Sequence, residues 1–302
     1  MPKILFPNNL LEAQKPDPDY QIEVDSVKAL GMSMGVIGLE DIEMGDFVRG
    51  VARVRREDVP TKAIYRGWMM TPTQYKGLYR ALQAKNIKLI NSPEAYQHCH
   101  YFVESYDKIR EYTPLSVSIK VGERPNFEEI FEKISVFGEQ PIIVKDYVKS
   151  EKHAWKEACF MPNAQDKENV KRITERFMEL RGSYFNEGLV YRKFEELAAI
   201  GAHPKSGMPL TKEFRLFFLY GQLIAQSKYW EDIDYKADNV DFAPFKTIAQ
   251  TIESNFFTMD IAQRKNGEWI IMELGDGQVS GLPNSIDATN FFNHMKNIDR
   301  RF

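Results

Sequence analysis

The chain is poor in cysteine, carries no large excess of either charge, and has no long apolar run. Its two cysteines, Cys99 and Cys159, supply neither a disulfide framework nor a four-ligand zinc pattern. His98 and His100 flank Cys99, but two histidines do not make a zinc site. The opening MPKILFPNNLLEAQKPDPDY lacks the apolar core of a secretory signal. With so few cysteines, the expected compartment is the reducing cytoplasm. No stretch approaches the ~18 apolar residues of a membrane span. A net charge of −3 gives no global field for nucleic acid or anionic membrane, although a local basic cleft, and with it a nucleic-acid partner, stays open. Neither GxxxxGK[ST] nor GxGxxG occurs, so neither a P-loop nor a Rossmann phosphate site is expected.

What is present is an ordinary globular composition over 302 residues, a length that suits about two domains. Strand and helix patterns alternate in the first third: strands over 3–6, 34–39, 63–70 and 87–90, and helices over 19–30, from Thr71-Pro72 and from Ser92-Pro93. Thr and Ser before Pro are helix-start signals, and Tyr75, Leu78, Tyr79 and Leu82 fall on one helical stripe. Such alternation favours an α/β layer with a partly parallel sheet. After about residue 110 hairpins take over. Strands are expected over 141–147 and 189–194, helices over 166–181 and 243–254, and a long hairpin over 213–230 turning at Tyr220-Gly221.

The last hairpin, FFTMDIAQRKNGEWIIMELGDG over 256–277, sets an acid in each apolar strand. A two-residue turn at Asn266-Gly267, the strongest short hairpin signal, pairs Arg264 with Trp269, Ala262 with Ile271 and Asp260 with Glu273. Opposed side chains share a face, about 5 Å apart at Cβ. Two like charges there call for a proton or a cation between them, and paired carboxylates suit Mg²⁺. An odd loop would instead slip the register and send the acids to opposite faces. The same arithmetic on the earlier hairpin pairs Glu213 with Lys228 and Arg215 with Gln226, so Glu213, Arg215 and Lys228 would share a face. Lys145, Arg192 and Lys193 also lie within apolar strands. One such cation is ordinarily solvated; several, together with two opposed acids, describe a site for phosphate and magnesium.

The stretches IYRGWMMTPTQYKGLY, PIIVKDYVKSEKHAW, KEFRLFFLYG and ELGDGQVSGLP together resemble ATP-grasp proteins, most closely the bacterial and phage clade named for two arginines and a lysine. The resemblance implies an α/β fold, α+β in its C-terminal part. A pre-ATP-grasp α/β domain over 1–110 would precede a two-lobed ATP-grasp domain over 111–302, with a small lobe about 111–185 and a large lobe about 186–302. It assigns Lys145, with Lys149, to the ATP phosphates, and Arg192, Lys193 and Phe194 to the adenine hinge. Glu195 or Glu196 would hold the ribose, Arg215 and Lys228 the transferred phosphate, and Asp260 and Glu273 the magnesium.

The family's asparagine two residues after the glutamate is here Gly275, for which Asp276 or Gln278 would substitute, and a basic lid with Lys149, Lys152 and His153 replaces a glycine-rich one. Arg66 is a candidate clamp for a substrate carboxylate, with Gln278, Ser280 and Asn284 on the substrate side. The implied activity is an ATP- and Mg²⁺-dependent, ADP-forming ligase that joins an unidentified small-molecule or peptide carboxylate to an amine through an acylphosphate. The alternatives are a kinase or nucleic-acid-modifying enzyme on the same scaffold, and a nucleotide-binding protein without turnover. Two opposed acids that repel without metal also imply that neutralising one would leave folding intact or improved.

Overall fold

Short apolar runs between turn residues build the first sheet of this computed structural model, which describes residues 1–122, 124–202, 209–230 and 240–296. Strand β1 (Lys3–Pro7) lies between β2 (Met34–Ile37) and β3 (Thr61–Tyr65), with β4 (Ile87–Leu89) beyond β3, and all pairings are parallel. Parallel strands covered on both faces need continuous apolar sequence, and all of β1 is buried. The helix Pro72–Gln83 begins with the expected cap: Thr71 and Gln74 exchange side-chain and backbone hydrogen bonds, with Pro72 in the first turn. Its stripe of Tyr75, Leu78, Tyr79 and Leu82 is buried against the sheet.

The strand expected over 63–70 ends at Tyr65, because Arg66 turns into the interior and is 1% exposed. Its Nε and Nη2 donate to the Glu23 carboxylate at 2.7 and 2.8 Å, and its Nη1 donates to the carbonyls of Gly277 (2.5 Å) and Ser280 (2.9 Å). The carboxylate Arg66 clamps is therefore the protein's own, which corrects its reading as a substrate ligand. The clamp joins the helix Gln21–Ala29 to the chain beyond the acid hairpin. The helix Ala288–Lys296 lies against that same first helix, and Phe291, Phe292 and Met295 share a buried cluster with Ile4, Phe6, Val24 and Val27.

Two antiparallel sheets make up the rest. β5 (Ser116–Lys120), β8 (Gly188–Lys193), β6 (Ile142–Asp146) and β7 (Phe160–Met161) adjoin in that order, so the smaller sheet runs past residue 185 to include β8. β9 (Ala199–Ala202) and β10 (Pro209–Thr211) form a separate pair. The larger sheet has the order β12 (Gln222–Lys228), β11 (Glu213–Leu219), β13 (Phe256–Gln263), β14 (Trp269–Asp276). One face of it packs Phe214, Leu216, Phe218, Phe257 and Met259 against Phe245 and Ile248 of a helix that spans Ala243–Ala249, shorter than expected. Among the described residues no helix is long and apolar enough to cross a membrane.

Arg66→Met strips Glu23 of its guanidinium in a dry environment. Breaking a buried pair costs about 3–5 kcal/mol, so urea unfolding should show a loss of that order. An unchanged midpoint would refute the clamp.

Candidate active site

Asp260 and Glu273 oppose each other across β13 and β14, but the turn is not the expected one. Its loop is odd: Arg264 N donates to Glu268 O at 2.7 Å, Gly267 N donates to Arg264 O at 2.9 Å, and Gly267 takes the left-handed φ of 93°. Such a loop alone slips the register by one. Ala262 accordingly opposes Ile270, not Ile271, and Arg264 bonds to Glu268, not Trp269. A bulge then restores it. Ile261 opposes Ile271 and Asp260 opposes Glu273, leaving Met272 as the extra residue. Both sequence readings hold in part: the loop slips, and the acids still meet.

Each acid has its own cation. Arg215, directly across from Asp260 on β11, donates Nε and Nη2 to its two oxygens at 2.9 and 2.7 Å. Lys145 Nζ of the smaller sheet reaches Glu273 Oε2 at 3.1 Å. Burial would raise the Glu273 carboxyl, but Lys145, Lys152 and Lys149 outweigh it and hold it well below the usual carboxylate range. Burial lowers the Arg215 guanidinium, and Asp260 more than restores it, so it stays fully charged. The expectation of two repelling acids is thereby corrected: removing one charge would leave a cation unpaired. Burial, with Lys145 and Arg215 nearby, lowers Lys149.

Three hollows run in series from this point. The first, about 270 Å³, is lined by Lys145, Lys149, Arg215, Asp260, Glu273 and Ser280, with Trp68, Met69 and His100 of the N-terminal part. A throat of about 70 Å³ passes Lys152, Arg192, Tyr229 and Met272. It opens into a slot of about 380 Å³ lined by Trp155, Phe194, Trp230, Met272, Lys193 and both Glu195 and Glu196. Trp155 stacks on Phe160 at 5.5 Å, and Phe194 meets Phe160 edge-on at 5.1 Å. A larger hollow of about 660 Å³ lies by the hairpin tip, around Trp269 and Phe245. Asp260 and Glu273 do not line it, although Arg264 in its wall grips Glu195 of the slot at 3.2 Å.

Arg192 is buried, 4.9 Å over the Phe102 ring, with Nη2 donating to Thr113 Oγ1. Burial pushes it down to about 10, against the pull of Glu273. Of the two glutamates, Glu195 is turned inward, whereas Glu196 is exposed and paired with Lys265 at 2.9 Å. His100, on the helix Pro93–His100, sits neutral in the cleft wall: burial first, then Lys149 and Lys145, push it down to about 3.

Three further expectations are corrected. A bulge at Ile224 leaves the Tyr220-Gly221 turn in place but shifts the strands, so Phe214 opposes Lys228 and Arg215 opposes Ser227. Lys228 therefore shares the face of Phe214. Tyr229 instead joins the site, under the Arg215 guanidinium at 5.1 Å. Asp276 opposes Phe257, one residue out of phase with Glu273, and is 0% exposed. Its carboxylate accepts from Asn91 Nδ2 (2.6 Å), Gln278 N (2.9 Å) and Gln278 Nε2 (3.2 Å), so it does not join a metal set. Gln278, also 0% exposed, spends its other donor on Tyr75 Oη at 2.7 Å and accepts from Tyr65 N, which leaves nothing for a substrate. Lys152, Tyr229, Trp155 and Met272 were invisible or faint as site residues, because a bulge or a loop sets their direction.

The donor set fits a magnesium ion. Two carboxylates share a face at the junction of two hollows, with oxygen donors only, and Mg²⁺ commonly takes one or two carboxylates and leaves its other positions to water and phosphate. Among the described residues no third acid, histidine or cysteine joins them.

A parallel α/β unit followed by a small and a large antiparallel sheet, with a cationic cleft between, defines the ATP-grasp class. The chain belongs to family 3 of the ATP-grasp clade named for two arginines and a lysine, whose domain model matches residues 136–295. No curated protein matches it in sequence. Solved structures match over nearly the whole chain. D-cycloserine synthetase DcsG has a TM-score of 0.60 at 12% identity, covering 97% of this chain and 98% of its own. D-alanine–D-alanine ligase from Bacillus anthracis, complexed with ATP, gives 0.58 at 14%, covering 99% and 96%. The ATP-grasp ligase PsnB, with minimal precursor, Mg and ADP, gives 0.57 at 11%, covering 99% and 98%. At these identities the likeness shows the fold.

Burial raises Asp276 to about 7 against its three hydrogen bonds. The folded state then holds a proton that the unfolded chain, with an ordinary pKa of about 4, releases. Stability contributed by this group falls as pH rises from about 4 to about 7, by at most about 1.4 kcal/mol per unit. Urea unfolding against pH should show this slope in the wild type and not in Asp276→Asn; identical slopes would refute it.

Proposed function

We propose that this protein is an ATP- and Mg²⁺-dependent ligase that joins a carboxylate to an amine and releases ADP and phosphate. One observation carries the reading: two opposed carboxylates, each held by a cation, sit where an apolar slot meets a polar cleft. The slot suits a purine ring between Trp155, Phe194 and Met272, with the inward Glu195 toward the ribose. Lys145, Lys149 and Lys152 suit the phosphates, whose several negative charges need neutralising before one can be moved. Asp260 and Glu273 would hold magnesium, which on binding polarises the phosphates.

In the first step a substrate carboxylate oxygen attacks the γ-phosphorus. The P–O bond to ADP breaks, and ADP leaves with the electron pair. Arg215 stands beside this group, over Tyr229, and its charge stabilises the negative charge on the transferred phosphoryl. In the second step the amine nitrogen forms a C–N bond with the acyl carbon as the C–O bond to phosphate breaks. Phosphate departs with that pair and takes up the surplus proton. The protein's work is positioning and charge, so no covalent nucleophile is required; both cysteines are buried.

The assay offers ATP, Mg²⁺, a panel of carboxylic acids, and hydroxylamine as trapping amine. ADP with hydroxamate supports the reading, whereas AMP or a stable phosphorylated product sinks it. Arg215→Met should lower kcat by about 10²–10³. Asp260→Asn should abolish Mg²⁺-dependent turnover and also lower the thermal midpoint, because it leaves the Arg215 guanidinium unpaired.

A further inference from the structure

Beyond Asp260 and Glu273 the cleft continues over Thr258 and Gly275, which oppose each other on β13 and β14, to Ser280 and to Trp68 and Met69. Gly275 makes the room: a Cβ there would stand 2.7 Å from Thr258 Oγ1 and 3.0 Å from Ser280 Oγ. The two hydroxyls lie 2.9 Å apart, and Ser280 Oγ donates to the Asp276 carbonyl at 2.8 Å. Among the described residues, the other partner of Thr258 Oγ1 is the Gly275 carbonyl at 3.4 Å.

Each hydroxyl has one proton, and a carbonyl only accepts. Once Ser280 gives its proton to Asp276, the bond between the hydroxyls uses that of Thr258. Neither has a proton left for a ligand; what they offer is lone pairs. Thr258 is 2% exposed, and its other neighbour across the sheet is Phe217, so no basic side chain adjoins it there. This end of the cleft is an acceptor site beside two carboxylates.

The opposite wall adds a second observation. Trp68 and Met69 are 44% and 45% exposed, although both are large and apolar. Trp68 is nonetheless fixed: its Nε1 donates to Asp17 Oδ2 at 2.9 Å, and its ring meets Tyr20 edge-on at 5.8 Å. An aromatic already held in place loses little freedom when a ligand covers it, and an indole face also attracts a cationic nitrogen.

We infer that this end of the cleft receives the amine, and that the amine is primary and borne on a broad apolar body. Its N–H groups meet the Thr258 and Ser280 oxygens, and its body lies on Trp68 and Met69. The inference rests on the ligase reading, and its test keeps the two apart.

Saturation-transfer NMR of the full chain loaded with AMP-PNP and Mg²⁺ compares 2-phenylethylamine with 2-phenylethanol, which share a body and differ in the head group. The amine should bind at least about five-fold more tightly, the worth of one hydrogen bond. Thr258→Val and Ser280→Ala should each erase that preference, and Trp68→Ala should weaken both probes. AMP-PNP binding reports that each variant is folded. Where Thr258→Val fails to fold, Ser280→Ala carries the test. Equal binding of the two probes, or a preference that survives Ser280→Ala, overturns the inference and leaves the ligase reading standing. A wild type that does not bind AMP-PNP overturns both.

Discussion

Two like charges facing each other across a β-ribbon are the constraint around which the rest is arranged. Asp260 and Glu273 meet on a half-buried sheet face, and each is answered from a different direction. Arg215 comes from the neighbouring strand of the same sheet, whereas Lys145 comes from the smaller sheet. The second pair spans two sheets, so the ionic arrangement also sets where the lobes meet. With nucleotide and metal present the same cations would face phosphate oxygens and the acids a divalent ion. On the proposed reading, these ion pairs stand in for the bound state, in which each group exchanges one partner of opposite sign for another.

The N-terminal unit is tied to the large sheet by groups that looked functional in sequence. Arg66, Asp276 and Gln278 are polar, and the last two follow Glu273 closely in the chain, yet each is fully engaged by protein. Asn91 completes this junction, donating to Asp276 and to the Phe256 carbonyl at 2.7 Å and accepting from Asn255 N and Phe256 N. A buried polar network of this kind is tolerable only when its members are satisfied.

Much of the fold was legible. The capped helix at Thr71, the parallel strands and the two long hairpins follow from period and turn chemistry, which are local. Facing was harder to read. Side chains alternate every residue along a strand, so one bulge reverses everything beyond it. Ile224 and Met272 are ordinary apolar residues that carry no mark of being bulged. Lys228 was misplaced by the first and Asp260–Glu273 rescued by the second. Arg66 and Gln278 were misread for another reason: a buried clamp and a substrate clamp use the same donors, and only the location of the carboxylate tells them apart.

The Met272 bulge separates the count of residues between the acids from the pairing of the strands. Arg264 and Glu268 close the tip and Ile261 opposes Ile271, so removing one residue of the three-residue tip, or Met272 itself, shortens the ribbon and leaves Asp260 facing Glu273. The number of residues separating the two acids is therefore free to drift, and counting along the chain is a poor guide to which glutamate is equivalent to which.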